Sequence, residues 1–254
     1  MTVKTGMCYN NSMDIMYFKE LDSTNKYAKV LAKDGAPEFT VIIADKQTGG
    51  YGRMGRSFCS PDSSGLYMSI ILRPDIEVQK CLYITTAAAV AVSEAIEETA
   101  NIKTGIKWVN DIFIGNKKVC GILTEAGFTE GGRLDYAILG IGVNIYTPEG
   151  GFPPDIKDIA GSIYGSPKDI NVRNALAESI IKHFEVYYGN LLSKPHLPSY
   201  KQRSIVIGKN IKVVHANGSY PAYALDIDNE FRLTVKDQNN IITALDSGEI
   251  SIRM

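Results

Sequence analysis

Residues Cys81 to Ile96 read CLYITTAAAVAVSEAI, the most apolar stretch of the chain. Thr85, Thr86, Ser93 and Glu94 interrupt it and polar sequence flanks it, so it falls short of the roughly 20 apolar residues that a membrane span needs. The remaining reading is a buried core helix running roughly from Val78 to Thr99. A chain of 254 residues can bury a core around such a helix, as one large domain or as a large domain with a small one.

The segments on either side of this helix carry strand character. FTVIIAD and GLYMSIILR are rich in β-branched and aromatic residues and are bounded by turn formers. After the helix, GNKK between two apolar runs signals a hairpin, EGGRLDY gives a second turn, and a three-stranded meander ends in AILGIGVNI. Two further helices are expected. One follows LDSTN, with Asp22 or Ser23 as cap and Gly35 as stop; the other occupies NVRNALAESIIKHFEVYYGNLL, where the apolar period of 3.6 returns after a Gly/Pro-rich loop. SKPHLPSYKQRS reads as a connector, and the short strand-like runs beyond it suggest a small barrel. The domain boundary falls between Ser199 and Ser204, dividing 1–202 from 203–254.

Charge and cysteine content exclude several classes. A formal net charge of -1 gives no reason to expect non-specific nucleic-acid binding. Cys8, Cys59, Cys81 and Cys120 lie far apart with no C-x-x-C pair, and with three scattered histidines neither a zinc site nor a disulfide framework is indicated. The first residues, MTVKTGMCYNNSMD, lack the apolar region and small-residue cleavage site of a signal peptide. A cytoplasmic location and a reducing compartment are expected.

Between the first two strands lies QTGGYGRMGRSF, residues 47 to 58, with four glycines and two arginines. Such a loop suits either a wide turn or the closing of backbone and guanidinium groups over an anion. KWVND, KKVCGIL and LGIGVN also bring charge or backbone freedom to strand ends. Singly, Lys107 and Lys118 read as solvated charges, Asn110-Asp111 as a turn, and the glycines as aids to close packing. Together, two arginines, two lysines and an Asn-Asp pair suit phosphate chemistry, where cations offset growing negative charge and an amide or carboxylate orients a magnesium-phosphate unit. Neither a P-loop nor a dinucleotide G-x-G-x-x-G that opens a helix is present.

Six segments, LDSTN, QTGGYGRMGRSF, KWVND, KKVCGIL, LGIGVN and SGEISIR, occur in the order and spacing of the biotin protein ligases, and the resemblance covers nearly the whole chain from Phe18 onward. It implies an α/β (α+β) fold, with a mixed-sheet catalytic domain related to class II aminoacyl-tRNA synthetases followed by a small SH3-like β-barrel. It also implies a two-step reaction. Biotin and Mg-ATP give biotinyl-5′-AMP and pyrophosphate, and a lysine of a biotin carboxyl carrier domain of a carboxylase then takes the biotinyl group. Only a short segment precedes the first motif, so a ligase without the N-terminal DNA-binding domain is expected, with no DNA or membrane partner. Homodimers are compatible with the family.

Carried over by position, the resemblance gives Ser23, Thr24 and Gln47 the ureido head of biotin. Gly50, Tyr51, Gly121, Leu123, Gly140 and Gly142 take the rest of the biotin and adenylate path, with Leu123 along the valeryl tail. Lys118 bridges the biotin carboxylate and the α-phosphate, Arg53 retains the adenylate, and Asp111 orients or deprotonates the incoming lysine. Arg56, Phe58, Lys107, Asn110 and Asn144 serve ATP, with Phe58 near adenine. Magnesium rides on the ATP phosphates near Asn110 and Asp111 rather than in a protein cage. The loop from Gln47 to Phe58 is expected to move without ligand and to fold over biotin and the adenylate. Two departures stand out: Tyr51 occupies the place of a frequent arginine, and Val109 that of a proline. A lipoate-protein ligase of the same fold, or a biotin-binding module without turnover, are the alternative readings.

Overall fold

The computed structural model describes residues 14–165, 170–215, 218–246 and 249–252. In chain order the elements are β1 (Ile15–Leu21), α1 (Thr24–Lys33), β2 (Val41–Gln47), β3 (Gly65–Leu72), α2 (Cys81–Ala100), β4 (Gly105–Lys107), β5 (Asp111–Ile114), β6 (Lys117–Phe128) and β7 (Leu134–Asn144). They are followed by α3 (Ile170–Tyr188), α4 (Leu197–Arg203), β8 (Asn210–His215), β9 (Gly218–Ile227), β10 (Leu233–Asp237), β11 (Ile242–Leu245) and β12 (Glu249–Ile252).

Seven strands form one mixed sheet in the order β1-β2-β3-β7-β6-β5-β4. β1 and β2 run parallel and are joined through α1; the other neighbours are antiparallel. Period-2 alternation assigns residues to the two faces. Val41, Ile43, Ile70 and Leu72 pack in the cluster that contains α2 and α3, whereas Ile42, Ile71 and Ile138 pack with Ala28 and Ala32 of α1. β3 is buried along its whole length because helices cover both faces. Helix α2 is buried from Tyr83 to Ser93, as its alanine-rich sequence requires of a core helix.

The second sheet is antiparallel, with five strands in the order β11-β10-β9-β8-β12, and forms the small C-terminal SH3-like unit. It shares one apolar cluster with the main sheet through Val213, Ile227, Phe231 and Leu233. Trp108 Nε1 donates to the Phe231 carbonyl at 2.9 Å, and Tyr200 Oη donates to the Val109 carbonyl at 2.9 Å.

Two elements differ from the sequence reading. β1 was not expected as a strand; its half-buried residues alternate weakly, and the parallel ladder to β2 is what defines it. SKPHLPSYKQRS contains the helix α4 rather than a plain connector. Pro198 sits in the first turn, where a missing N–H costs nothing, and Tyr200 is the buried anchor. Residues 202 and 203 fall in the last turn of α4. Of SGEISIR, Ser247, Gly248 and Arg253 lie outside the described residues, as does Cys8.

Candidate active site

In a parallel β1-α1-β2 unit both strands end on the same side, and the helix begins there. Leu21, the last residue of β1, pairs with Gln47, the last of β2, and α1 starts at Thr24. This brings LDSTN against Gln47. Gln47 Oε1 accepts from the Thr24 backbone N–H at 2.9 Å and from Thr24 Oγ1 at 3.1 Å, while Gln47 Nε2 donates to Ser60 Oγ at 2.9 Å. Ser23 caps α1 through a long bond of 3.5 Å from Lys26 N, so its buried hydroxyl keeps capacity for another partner. Ser69 Oγ lies 2.8 Å from Thr24 Oγ1 and 2.6 Å from Asn25 Oδ1. One end of the site is therefore a buried set of hydroxyls and amides with fixed directions.

The middle is a patch of sheet where Gly121, Gly140 and Gly142 carry no side chain. Gly121 pairs with Gly142, and Leu123 with Gly140, across β6 and β7. A Cβ on Gly142 would lie 2.5 Å from Phe58 Cε1, and one on Gly140 would lie 2.2 Å from Asn25 Oδ1. The immediate neighbours of these glycines are thus groups of the chain itself. Phe58 lies on the sheet beside Gly121, within the same few ångströms as Lys118 Nζ, so its ring stands at the centre of the site.

The other end carries charge. The β5-β6 hairpin brings Lys118 Nζ to 2.6 Å from Asp111 Oδ1, with the side chains 29% and 20% exposed. Arg53 Nη1 donates to Asn110 Oδ1 at 3.2 Å, and Asn110 Nδ2 donates to the Ile122 carbonyl at 2.7 Å. Lys107 pairs with Asp111 across β4 and β5. The Trp108–Val109 peptide bond in the intervening turn is cis. Asn144 Nδ2 donates to the Gly161 carbonyl at 2.9 Å, and Lys118 exchanges backbone bonds with Ile159 and Gly161. The Gly/Pro-rich loop is thereby strapped to the start of β6. It contributes Phe152, Ile156, Ile159 and Ala160 to the cavity wall.

The Gly/Arg loop folds back on itself. Tyr51 bridges to Ser57, Gly52 N donates to the Arg56 carbonyl at 2.7 Å, and Arg53–Gly55 makes a 3-10 turn. Met54 and Gly55 have φ of 56° and 71°, a left-handed step that glycine at the second position eases. Tyr51 Oη donates to Glu125 Oε2 at 2.8 Å. Burial would raise the Glu125 carboxyl, but bonds from Lys29, Asn25 and Tyr51 outweigh it and hold the group below its ordinary range.

These groups enclose a cavity of about 520 Å³. Ser23, Thr24, Gln47, Tyr51, Arg53, Arg56, Phe58, Lys107, Asn110, Asp111, Lys118, Gly121, Leu123, Gly140, Gly142 and Asn144, the candidates drawn from the sequence, all line it. Gly50 does not. Its hydrogens face Ser60 Oγ and the Phe58 carbonyl, where a Cβ would come within 2.7 and 2.8 Å, so it acts by close packing beneath the loop. Sequence reasoning missed Asn25, although it belongs to LDSTN, and the apolar residues of the 146–165 loop, whose irregular spacing gave no periodic signal. It also missed Val214 and Ile250, which the C-terminal sheet brings to the rim. Among the described residues no three His, Cys, Asp or Glu side chains converge as metal ligands.

The sequence pattern of the biotin/lipoate A/B protein ligase family matches residues 17–144. The chain belongs to this family. It is 40% identical over 230 residues to the bifunctional ligase/repressor BirA of Bacillus subtilis, covering 89% of this chain and 70% of that protein. It is 28% identical over 221 residues to a biotin–[acetyl-CoA-carboxylase] ligase of Mycobacterium tuberculosis, covering 83% and 79%. Among solved structures it resembles the biotin protein ligase from Aquifex aeolicus in complex with biotin and ATP, with a TM-score of 0.77 and 27% identity over 94% of this chain and 98% of that one. The family members of known structure share the mixed-sheet fold found here, which is that of class II aminoacyl-tRNA synthetases.

Proposed function

We propose that this chain is an ATP-dependent biotin protein ligase that forms biotinyl-5′-AMP and passes the biotinyl group to a lysine of a carboxylase's carrier domain. The observation that carries the reading is Lys118, paired with Asp111 at 2.6 Å in one cavity with the half-buried Thr24–Gln47 pair and the Arg53–Asn110 pair. A neutral bicyclic urea is well held by short hydroxyls and amides at a closed end. The carboxylate at the far end of its tail then reaches the charged end.

There a biotin carboxylate oxygen attacks the α-phosphorus of Mg-ATP, the bond to the bridging oxygen breaks, and pyrophosphate leaves. Two anions must approach, so a cation between them lowers the barrier where charge is concentrated. Lys118 is that cation, while Arg53, Arg56, Lys107, Asn110 and Asn144 bind the nucleotide. Magnesium would enter on the ATP phosphates as part of the substrate, and to reach Asn110 Oδ1 or Asp111 Oδ1 it would have to displace Arg53 or Lys118, which face those oxygens. In the second step the lysine amine attacks the mixed anhydride, AMP leaves, and Asp111 takes the amine proton. Closing the Gly/Arg loop keeps water from the anhydride.

We place the division of labour at 1–202 for catalysis and 203–254 for the SH3-like part. No helix among the described residues is long and apolar enough to cross a membrane. A cytoplasmic setting is the reading that the scattered cysteines, with no C-x-x-C pair, favour.

The test is pyrophosphate release from Mg-ATP with biotin, with lipoate and with neither, read beside mass spectrometry of the acyl-adenylate. Biotin-dependent release with a biotinyl-AMP peak is the expected result. Release with lipoate alone would replace the reading by a lipoate ligase, and silence from folded protein would leave a binding module.

A further inference from the structure

Tyr51 begins the turn that carries Arg53, and three elements meet at its hydroxyl. Glu125 on β6 accepts from Tyr51 Oη at 2.8 Å and from Asn25 Nδ2 of α1 at 2.8 Å through Oε2, and from Lys29 Nζ of α1 at 2.6 Å through Oε1. Lys29 Nζ also donates to Tyr51 Oη at 3.4 Å. The ring lies beside two cations of α1, with Lys26 Nζ and Lys29 Nζ each 5.8 Å from its centroid. Across the turn Tyr51 is bridged to Ser57, which fixes the segment from 52 to 56 that holds Arg53 and Arg56.

The charge balance of this cluster explains the residue at 51. Glu125 is neutralised by Lys29 and Lys26 by Asp22, so a guanidinium at 51 would add a positive charge beside two ammonium groups with no carboxylate left to balance it. A phenol adds a hydrogen bond to Glu125 without adding charge and turns its π-face to the lysines.

We propose that Tyr51 and Glu125 form a tether, braced by Lys29 and Asn25, that holds the Gly/Arg loop over the cavity and sets the position of Arg53. Tyr51, Glu125 and Lys29 are positioning residues. The role in the reaction rests on the ligase reading, but the tether does not: all four groups belong to the chain, so it acts whatever fills the cavity.

Trypsin cleavage after Arg53 and Arg56 in the intact protein, followed by mass spectrometry, reads the tether directly. Removing a charge-assisted hydrogen bond with Tyr51→Phe should speed these two cuts about tenfold, with cuts elsewhere and the thermal midpoint little changed. Glu125→Gln should do the same, and the double variant should be cut no faster than the faster single one, because both remove one link. Lys29→Met gives a second route to the same weakening should Glu125→Gln fold poorly. In turnover, Tyr51→Phe should raise the biotin KM more than it lowers kcat and increase escape of the adenylate. Wild-type cleavage rates in Tyr51→Phe, or multiplying effects in the double variant, would overturn the tether. A wild-type protein that releases no pyrophosphate with biotin would overturn the ligase reading alone, since the protease result stands apart from it.

Discussion

Replacing Lys118 with methionine keeps most of the side-chain volume and removes the charge. The structural cost is bounded by the pair itself. With Lys118 and Asp111 still 29% and 20% exposed, the loss lies above the value for an exposed ion pair and below the ~3–5 kcal/mol for stripping one partner from a fully buried one, at about 1–2 kcal/mol. For a chain of this size each kcal/mol lowers the midpoint by about 2–4 °C, so the variant should remain folded at 25 °C. The catalytic cost is larger. Removing a single preorganised donor from developing charge typically slows the step about 10²- to 10³-fold, or about 3–4 kcal/mol. The expected outcome is pyrophosphate release down by at least about a hundredfold, in protein with a midpoint a few degrees below wild type. Asp111→Asn is the control: it perturbs the same pair, yet should keep adenylate formation and slow transfer to the acceptor lysine. Lys118→Met protein that releases pyrophosphate at near the wild-type rate would remove Lys118 from the mechanism, and a loss no larger in Lys118→Met than in Asp111→Asn would reduce the pair to a structural one.

Three further outcomes are expected. Arg53→Gly breaks the bond to Asn110 Oδ1 and should release free biotinyl-adenylate; a bystander protein labelled no faster than by wild type would refute the retention role. Gly142→Ala places a methyl 2.5 Å from the Phe58 ring and should cost about 1–3 kcal/mol by overpacking, with activity falling further because the ring and its loop are displaced. Phe58→Ala should relieve that stability cost in the double variant, and strictly additive midpoints would show that the two do not touch. His196 is fully buried, stacked on Phe231 at 4.6 Å and bonded to Thr86, and burial lowers its pKa from 6.5 to about 4. The unfolded chain takes up this proton as pH falls below 6.5 while the native state resists until about 4, so stability is full above 6.5 and falls by about 3 kcal/mol across that window. Chemical denaturation at pH 7 and pH 4.5 checks this, and His196→Phe should flatten the difference; an unchanged slope would place the acid sensitivity elsewhere.

Much of the fold was legible in the residues because local rules and tertiary packing agree. The alanine-rich segment became α2, FTVIIAD and GLYMSIILR became β2 and β3, and GNKK closed the β5-β6 hairpin. Failures came where packing overrode local pattern. β1 exists because β2 offers it a parallel ladder, and α4 because Tyr200 has a buried place to go. Likewise the apolar rim from the 146–165 loop has no period, since its residues are placed by backbone bonds to β6 and not by a regular element.

The sequence by itself determined the types of chemistry present: cations, an Asn-Asp pair, short hydroxyls and side-chain-free strand positions, in an order shared with the biotin protein ligases. Those are properties of covalent composition and spacing. Tertiary structure alone decided which groups face which. It set Phe58 on the glycine patch, closed Lys118 onto Asp111, turned Gly50 out of the cavity wall and joined Tyr51 to Glu125, 74 residues away. Hydrogen bonds and ion pairs act over about 3 Å, and only the folding of the sheet brings such distant residues within that reach.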